Sequence, residues 1–116
     1  MALLNRNQIL EVKDIKTEIV EVPEWGGSVL VKLLTGTERD QFEASVIDDK
    51  GKFKKDNVRA KLVLKCAVDE EGKPLFQAAD LEAIGAKSAA ALDRIFSVAQ
   101  KLNRMGAQDL EELAKN

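Results

Sequence analysis

The sequence predicts an α+β domain in which a small antiparallel β element precedes a mainly helical remainder. Three observations carry that reading. Two runs rich in β-branched residues, TEIVEV within 16–22 and SVLVKLL over 28–34, flank the turn-forming stretch PEWGG. Residues 37–116 switch mainly from two-residue alternation to helical spacing. The clearest helical stripe comes last, in SAAALDRIFSVAQKLN over 88–103. Strands first and helices afterwards argue for α+β rather than alternating α/β. At 116 residues the chain is expected to form one domain, 1–116.

In chain order, residues 1–12 are read as either a flexible segment or a short amphipathic helix, with Asn5 as its cap and Ile9 and Leu10 as its anchors. The two β-rich runs make an antiparallel hairpin over 16–34 with a loop of four or five residues. Val29, Val31 and Leu33 line one of its faces, and Leu30, Lys32 and Leu34 the other. Thr35-Gly36-Thr37 ends the strand, and Thr37 with Asp40 is taken as a variant capping box opening a helix to Val46, in which Phe42 and Val46 pair four residues apart. DDKGKFKKDN, residues 48–57, reads as a charged, solvated loop. Asp56 or Asn57 then caps a helix over 58–67 with Val58, Leu62, Val63 and Cys66 inside.

Residues 68–76, VDEEGKPLF, form a tight charged turn or a short hairpin. Asp80 to Ile84 makes a short helix that Gly85 ends in a left-handed conformation. Ser88 caps the core helix, about 88–103, whose inner stripe is Leu92, Ile95, Phe96, Ala99 and Leu102. Burying its four large apolar side chains contributes roughly 6–12 kcal/mol before entropy is counted. Ala107 to Lys115 is a last short helix carrying Leu110 and Leu113. No internal repeat is evident.

Composition narrows the function. Charged residues make up 33% of the chain, and its 18 basic and 20 acidic side chains are interleaved to a net charge of −2. A nucleic-acid protein would concentrate basic charge on one face, so neither a nucleic acid nor an anionic membrane is expected as a partner. No apolar run is long enough to span a bilayer, and the start, MALLNRNQIL, does not read as a signal peptide. The one cysteine, Cys66, lies in an apolar run and is read as a small buried hydrophobe; without a histidine in the chain it has no base to activate it.

The chemistry-bearing patterns fail on spacing. Asp48-Asp49 and Asp69-Glu70-Glu71-Gly72 lack the alternate oxygen ligands and distant bidentate glutamate of a calcium loop. Gly85-Ala86-Lys87-Ser88 lacks the upstream glycine of a phosphate loop. Glu18 with Glu21, and Glu111 with Glu112, have no desolvating pocket to tune them for acid–base work. The expectation is therefore no enzyme, no cofactor and no metal. What remains is adhesive surface: Trp25, in a turn beside two glycines, and Leu110 with Leu113 on the last helix, are the candidate partner anchors, against readings in which Trp25 folds back as a lid on the core and the two leucines dock on the domain.

EWGGSVLVKLLTGTERDQFEASV (24–46) and DEEGKPLFQAADLEAIGAKSAAALDRIFSVAQKLN (69–103) together resemble the tail assembly chaperones of long-tailed, siphovirus-type bacteriophages and prophages. The likeness extends over about residues 15–116 and lies in overall pattern, including the Leu102-Asn103 helix terminus. It implies a non-enzymatic protein of the bacterial host cytoplasm, absent from the mature virion, that binds the tape measure protein before the tail tube forms. It also implies the tail tube protein as a further contact, a frameshifted longer form of the chain as a companion, and room for a homo-oligomer. Ala114-Lys115-Asn116 permits the codons GCA AAA AAC, which contain a slippery heptamer for such a frameshift. The alternatives are a structural tail component, such as a connector or tube subunit retained in the virion, and a small acidic regulator of a host protein.

Overall fold

The computed structural model describes residues 2–105. Its element order is α1 (Arg6–Glu11), β1 (Thr17–Val22), β2 (Gly27–Lys32), α2 (Gly36–Ser45), α3 (Val58–Cys66), β3 (Ala67–Val68), α4 (Leu81–Gly85) and α5 (Ala89–Leu102). The architecture is the expected α+β, but the sheet has three antiparallel strands in the order β1-β2-β3 rather than two. The additional strand is the end of the expected 58–67 helix. Ala67 leaves helical geometry for an extended conformation, and Ala67 and Val68 then pair with Val31 and Leu30.

β1 and β2 run in unbroken register from Thr17 opposite Lys32 to Val22 opposite Gly27. Side chains alternate across a strand, so Val20, Val22 and Val31 go to the core face with Ala67. Leu34, expected on the face opposite Val31, is also buried. β2 stops at Lys32, so strand alternation no longer governs where Leu34 points. Against the inner face lies α5, which meets β1 and β2, and α3 packs on α5 and α4. The fully enclosed side chains include Phe42, Val46, Leu62, Val63, Cys66 and Ile95. Burial pushes the Cys66 thiol up to about 12, with the Glu38 charge adding to the effect, so it stays a neutral packing group.

Several local expectations are corrected. Helix α2 opens two residues earlier than Thr37–Asp40 implies: Thr35 is the cap, its hydroxyl accepting from the Glu38 N–H at 3.1 Å while Glu38 accepts from the Thr35 N–H at 3.0 Å. That is the standard capping box with glutamate at its third position. Lys32 braces the same carboxylate at 2.5 Å. Asn57 stands at the start of α3 in a left-handed conformation and makes no side-chain cap. Gly85 stays helical instead of turning left-handed. A Cβ there would meet Asn57 Oδ1 at 2.6 Å, so glycine is needed for close approach rather than for its φ. Helix α1 forms with a complete Asn5–Gln8 capping box, yet Ile9 and Leu10 anchor nothing: they are 54% and 65% exposed.

A short motif, Asp-x-x-Gly-Lys, also occurs twice, against the expectation of no repeat. In both DDKGK (48–52) and DEEGK (69–73) the first aspartate accepts from the backbone N–H groups two and four residues on, at 2.8–3.0 Å. Gly51 and Gly72 sit at φ +77° and +83°, which glycine adopts without strain. Each loop closes a tiny hairpin, Ile47 with Phe53 and Val68 with Pro74, directly after a helix. Side-chain turns of this kind explain why aspartate leads each loop.

The core helix is as expected at its start: Ser88 accepts from the Ala91 N–H at 3.1 Å. Its other end is held by Asn103, the one buried polar side chain among the described residues. The Asn103 carboxamide accepts from the Leu34 N–H at 2.7 Å and donates to the Ala99 carbonyl at 2.9 Å. Its own carbonyl accepts from Arg39 at 2.8 Å. Replacing Asn103 with alanine strands the buried Leu34 N–H, at about 1–3 kcal/mol per unsatisfied group, and opens space beside Cys66. Urea denaturation of Asn103→Ala is expected to show about 2–4 kcal/mol of lost stability; a loss under 0.5 kcal/mol would show that water replaces the amide.

Candidate partner-binding surface

With the core closed, the large apolar side chains left open define the surface. They are Leu3, Leu4, Ile9, Leu10, Val12 and Ile15 on the N-terminal arm, Ile19 on β1, Trp25 at the hairpin end, and Leu75 after β3. Those groups lie on distinct parts of the fold. Strand register sets Ile19 opposite Leu30, and Leu30 opposite Val68, so an apolar row crosses the sheet on its outer face. Beside it, a groove of about 500 Å³ is lined by Val29, Leu30, Val68 and Leu75 together with Asp69, Glu70 and Glu71.

Trp25 is placed by the turn chemistry of its neighbours. Pro23 starts a single 3₁₀ turn, Pro23–Trp25, and Gly26 ends it at φ +72°, donating its N–H to the Pro23 carbonyl at 3.0 Å. Glu24, in the middle of that turn, receives Arg94 Nε from α5 at 2.8 and 3.0 Å on its two oxygens. The turn is thereby tied to the core helix and the indole is aimed sideways, 39% exposed. With Phe76, Ala83 and Ile84 it bounds an apolar groove of about 510 Å³ whose polar edge is Asp80 and Lys87. Trp25 is therefore a wall of an open groove rather than a lid closed over the core. Leu110 and Leu113, the other two expected anchors, lie outside the described residues.

Two parts of this surface were not anticipated from sequence. Phe76, Ala83 and Ile84 join Trp25 only through tertiary packing, and no local pattern links residue 25 to residues 76–84. The arm residues Leu3, Leu4 and Val12 carry an apolar signal, but that signal alone does not distinguish an anchor from an open side chain. No group of three or more metal-ligating side chains is assembled among the described residues. The leading carboxylates of the acidic clusters, Asp48 and Asp69, are used internally as turn acceptors. No helix of the described residues is long and apolar enough to cross a membrane.

Comparison with known proteins decides the family. The family model described as phage tail assembly chaperone matches residues 5–116. The chain belongs to that family. The solved structure titled "Structure of bacteriophage HK97 tail assembly chaperone" matches it in fold, with a TM-score of 0.61 and 18% sequence identity, covering 86% of this chain and 94% of that one. No curated protein sequence matches. For a tail assembly chaperone the relevant site is a surface, and Ile19 on the outer sheet face, the Trp25 groove and the arm are its candidates here.

The Glu24–Arg94 tie gives this surface a pH dependence. Backbone hydrogen bonding within the turn, then the Arg94 guanidinium, hold the Glu24 carboxyl below its ordinary 4.5. A depressed carboxyl pKa favours the tied turn above the ordinary value and releases it as pH falls through the lower, folded-state value. Emission from Trp25, the single tryptophan, is expected to change below pH 4.5 before far-UV circular dichroism does. Arg94→Ala should move that change to higher pH; an identical profile would detach Trp25 from this ion pair.

Proposed function

We propose that the chain is a non-enzymatic chaperone that coats the tape measure protein in the host cytoplasm and leaves before the virion is complete. The observation that carries the reading is the uncovered apolar surface of a chain in the tail assembly chaperone family: Ile19 on the outer sheet face, a groove beside Trp25 and an arm of six large apolar side chains, on a domain one-third charged. A long helical client with an exposed apolar stripe aggregates unless that stripe is covered. Many copies of a small charged domain cover it through weak, repeated contacts. Avidity along one client makes the coat hold, and the weakness of each contact lets incoming tube subunits displace it.

Client contacts are assigned to the exposed hairpin face, Trp25, and Leu110 and Leu113 of the C-terminal segment. The tail tube protein is the expected competitor, and a longer frameshifted form carries the same domain with a second function attached. A gene lacking any slippery run would remove the longer form from the account.

Co-expression with the tape measure protein is the test. The wild-type chain should keep the client soluble and co-purify with it, and mass spectrometry of purified virions should find the chain missing. Stoichiometric retention in the virion would instead establish a structural tail component. Leu110→Ser with Leu113→Ser should weaken capture more than tenfold, since burying each leucine contributes about 1.5–3 kcal/mol and about 1.4 kcal/mol is tenfold in affinity. Undiminished capture by that folded variant would exclude both leucines from the contact.

A further inference from the structure

We propose that the chain binds a phosphate group in a basic pocket between the first turns of α3 and α5, a site independent of what the apolar surface meets. The pocket, of about 160 Å³, is lined by Lys55, Arg59 and Lys87, with no aspartate or glutamate among its lining residues. Three cations around one small pocket repel one another, and an oxyanion between them removes that cost. Asp93 takes the Arg59 Nε and so holds the guanidinium in place, while its two terminal nitrogens have no partner among the described residues. Neither Lys55 nor Lys87 has an ion-pair partner among them.

The backbone adds donors from two directions. At the start of α5 the Ser88 hydroxyl is used by the Ala91 N–H, which leaves the N–H of Ala89, a pocket residue, without an acceptor. At the start of α3, Asn57 stands in the capping position and caps nothing. Its left-handed backbone lays the carboxamide against Gly85 instead. The N–H groups of Arg59 and Ala60 accordingly find no acceptor among the described residues. Ala60 is only 1% exposed, and it lines the pocket. A buried N–H left unpaired is rare and costly. That orphaned donor, aligned with three side-chain cations, points to a ligand rather than to a helix end alone.

Phosphate fits this donor set better than a carboxylate does. It carries close to two negative charges at neutral pH and arranges its oxygens as a tetrahedron. It can therefore answer two helix starts and three side chains at once, and helix N-termini favour such an anion. A carboxylate has one charge and two coplanar oxygens. Gly85-Ala86-Lys87-Ser88 fails as a phosphate loop because no glycine cradle precedes it. Here α3, distant in sequence, supplies the donors that such a loop would have carried.

Titration of the full chain with inorganic phosphate at neutral pH and constant ionic strength, followed by amide NMR, tests the site. Saturable shifts are expected at Arg59, Ala60 and Ala89, with a melting temperature that rises as phosphate is added. Lys55→Gln with Lys87→Gln should weaken half-saturation about tenfold or more, since two charge-assisted contacts are lost. Lys50→Gln with Lys52→Gln removes the same charge outside the pocket and should leave half-saturation unchanged. Both pairs exchange surface lysines, so circular dichroism should stay that of the wild type. Equal weakening in the two pairs would overturn the proposal, by showing attraction to overall charge only. So would shifts no larger than sodium chloride gives, or equal half-saturation by acetate. Adenosine monophosphate separates the sources: saturation equal to or weaker than that of inorganic phosphate supports the free ion, and tighter saturation supports a small phosphate ester.

Discussion

The structure depends on a single carboxamide. Asn103 sits where α5 ends, where β2 gives way to the Leu34–Thr35 segment, and where the Cys66 sulfur closes the core, and its side chain satisfies polar groups on two of these elements. A buried amide has no cheap alternative partner, because interior N–H and C=O groups left unpaired cost more than a made bond gains. The arrangement therefore fixes the distance between the core helix and the sheet. It also fixes the start of α2, since Thr35 must cap that helix immediately after Leu34 is held. Arg39, one turn into α2, returns to the Asn103 carbonyl and closes the circuit.

From that anchor the division between closed and open surface follows. The inner face of the sheet is covered by α5, with α3 packed on α5 in turn, and its Val20, Val22 and Val31 are buried. On the outer face, among the described residues, Ile19 stays open while Leu30 is half-buried and Val68 is buried. The Pro23–Trp25 turn is fastened to α5 by an ion pair at the surface, which positions the indole at low energetic cost without burying it. A domain built this way is rigid where it must fold and uncommitted where it must bind. The proposed coating of a filament would draw on that combination, through small apolar contacts each worth little.

Legibility in the sequence followed how local the determining interaction was. The hairpin, the Ser88 cap, the α5 stripe and the inertness of Cys66 rest on neighbouring residues, and each was read from them. Thr35 was passed over for Thr37 because both have an acidic residue three positions on, and only the backbone course after Leu34 selects the first. β3 was hidden because Cys66-Ala67-Val68 continues an apolar helical stripe, and its strand identity comes from pairing with β2, thirty-odd residues earlier. Gly85 stands out in the sequence as a helix end, but what requires glycine there is Asn57, distant in sequence and too close to admit a Cβ. The groove beside Trp25 was half legible, since the indole stood out and its companions did not. Leu110 and Leu113 lie outside the described residues, and their role stands as a proposal.

The claim at the centre is that the outer sheet face and the Trp25 turn meet the client while the inner face never opens. Hydrogen–deuterium exchange of the chain, alone and in complex with the tape measure protein, measures this directly, because amide protection reports which segments become covered. The account predicts slowed exchange in β1, β2 and residues 23–26 on complex formation, with α3 and the middle of α5 unchanged. Protection confined to α3 and α5, or none anywhere in a complex that remains intact, would contradict it.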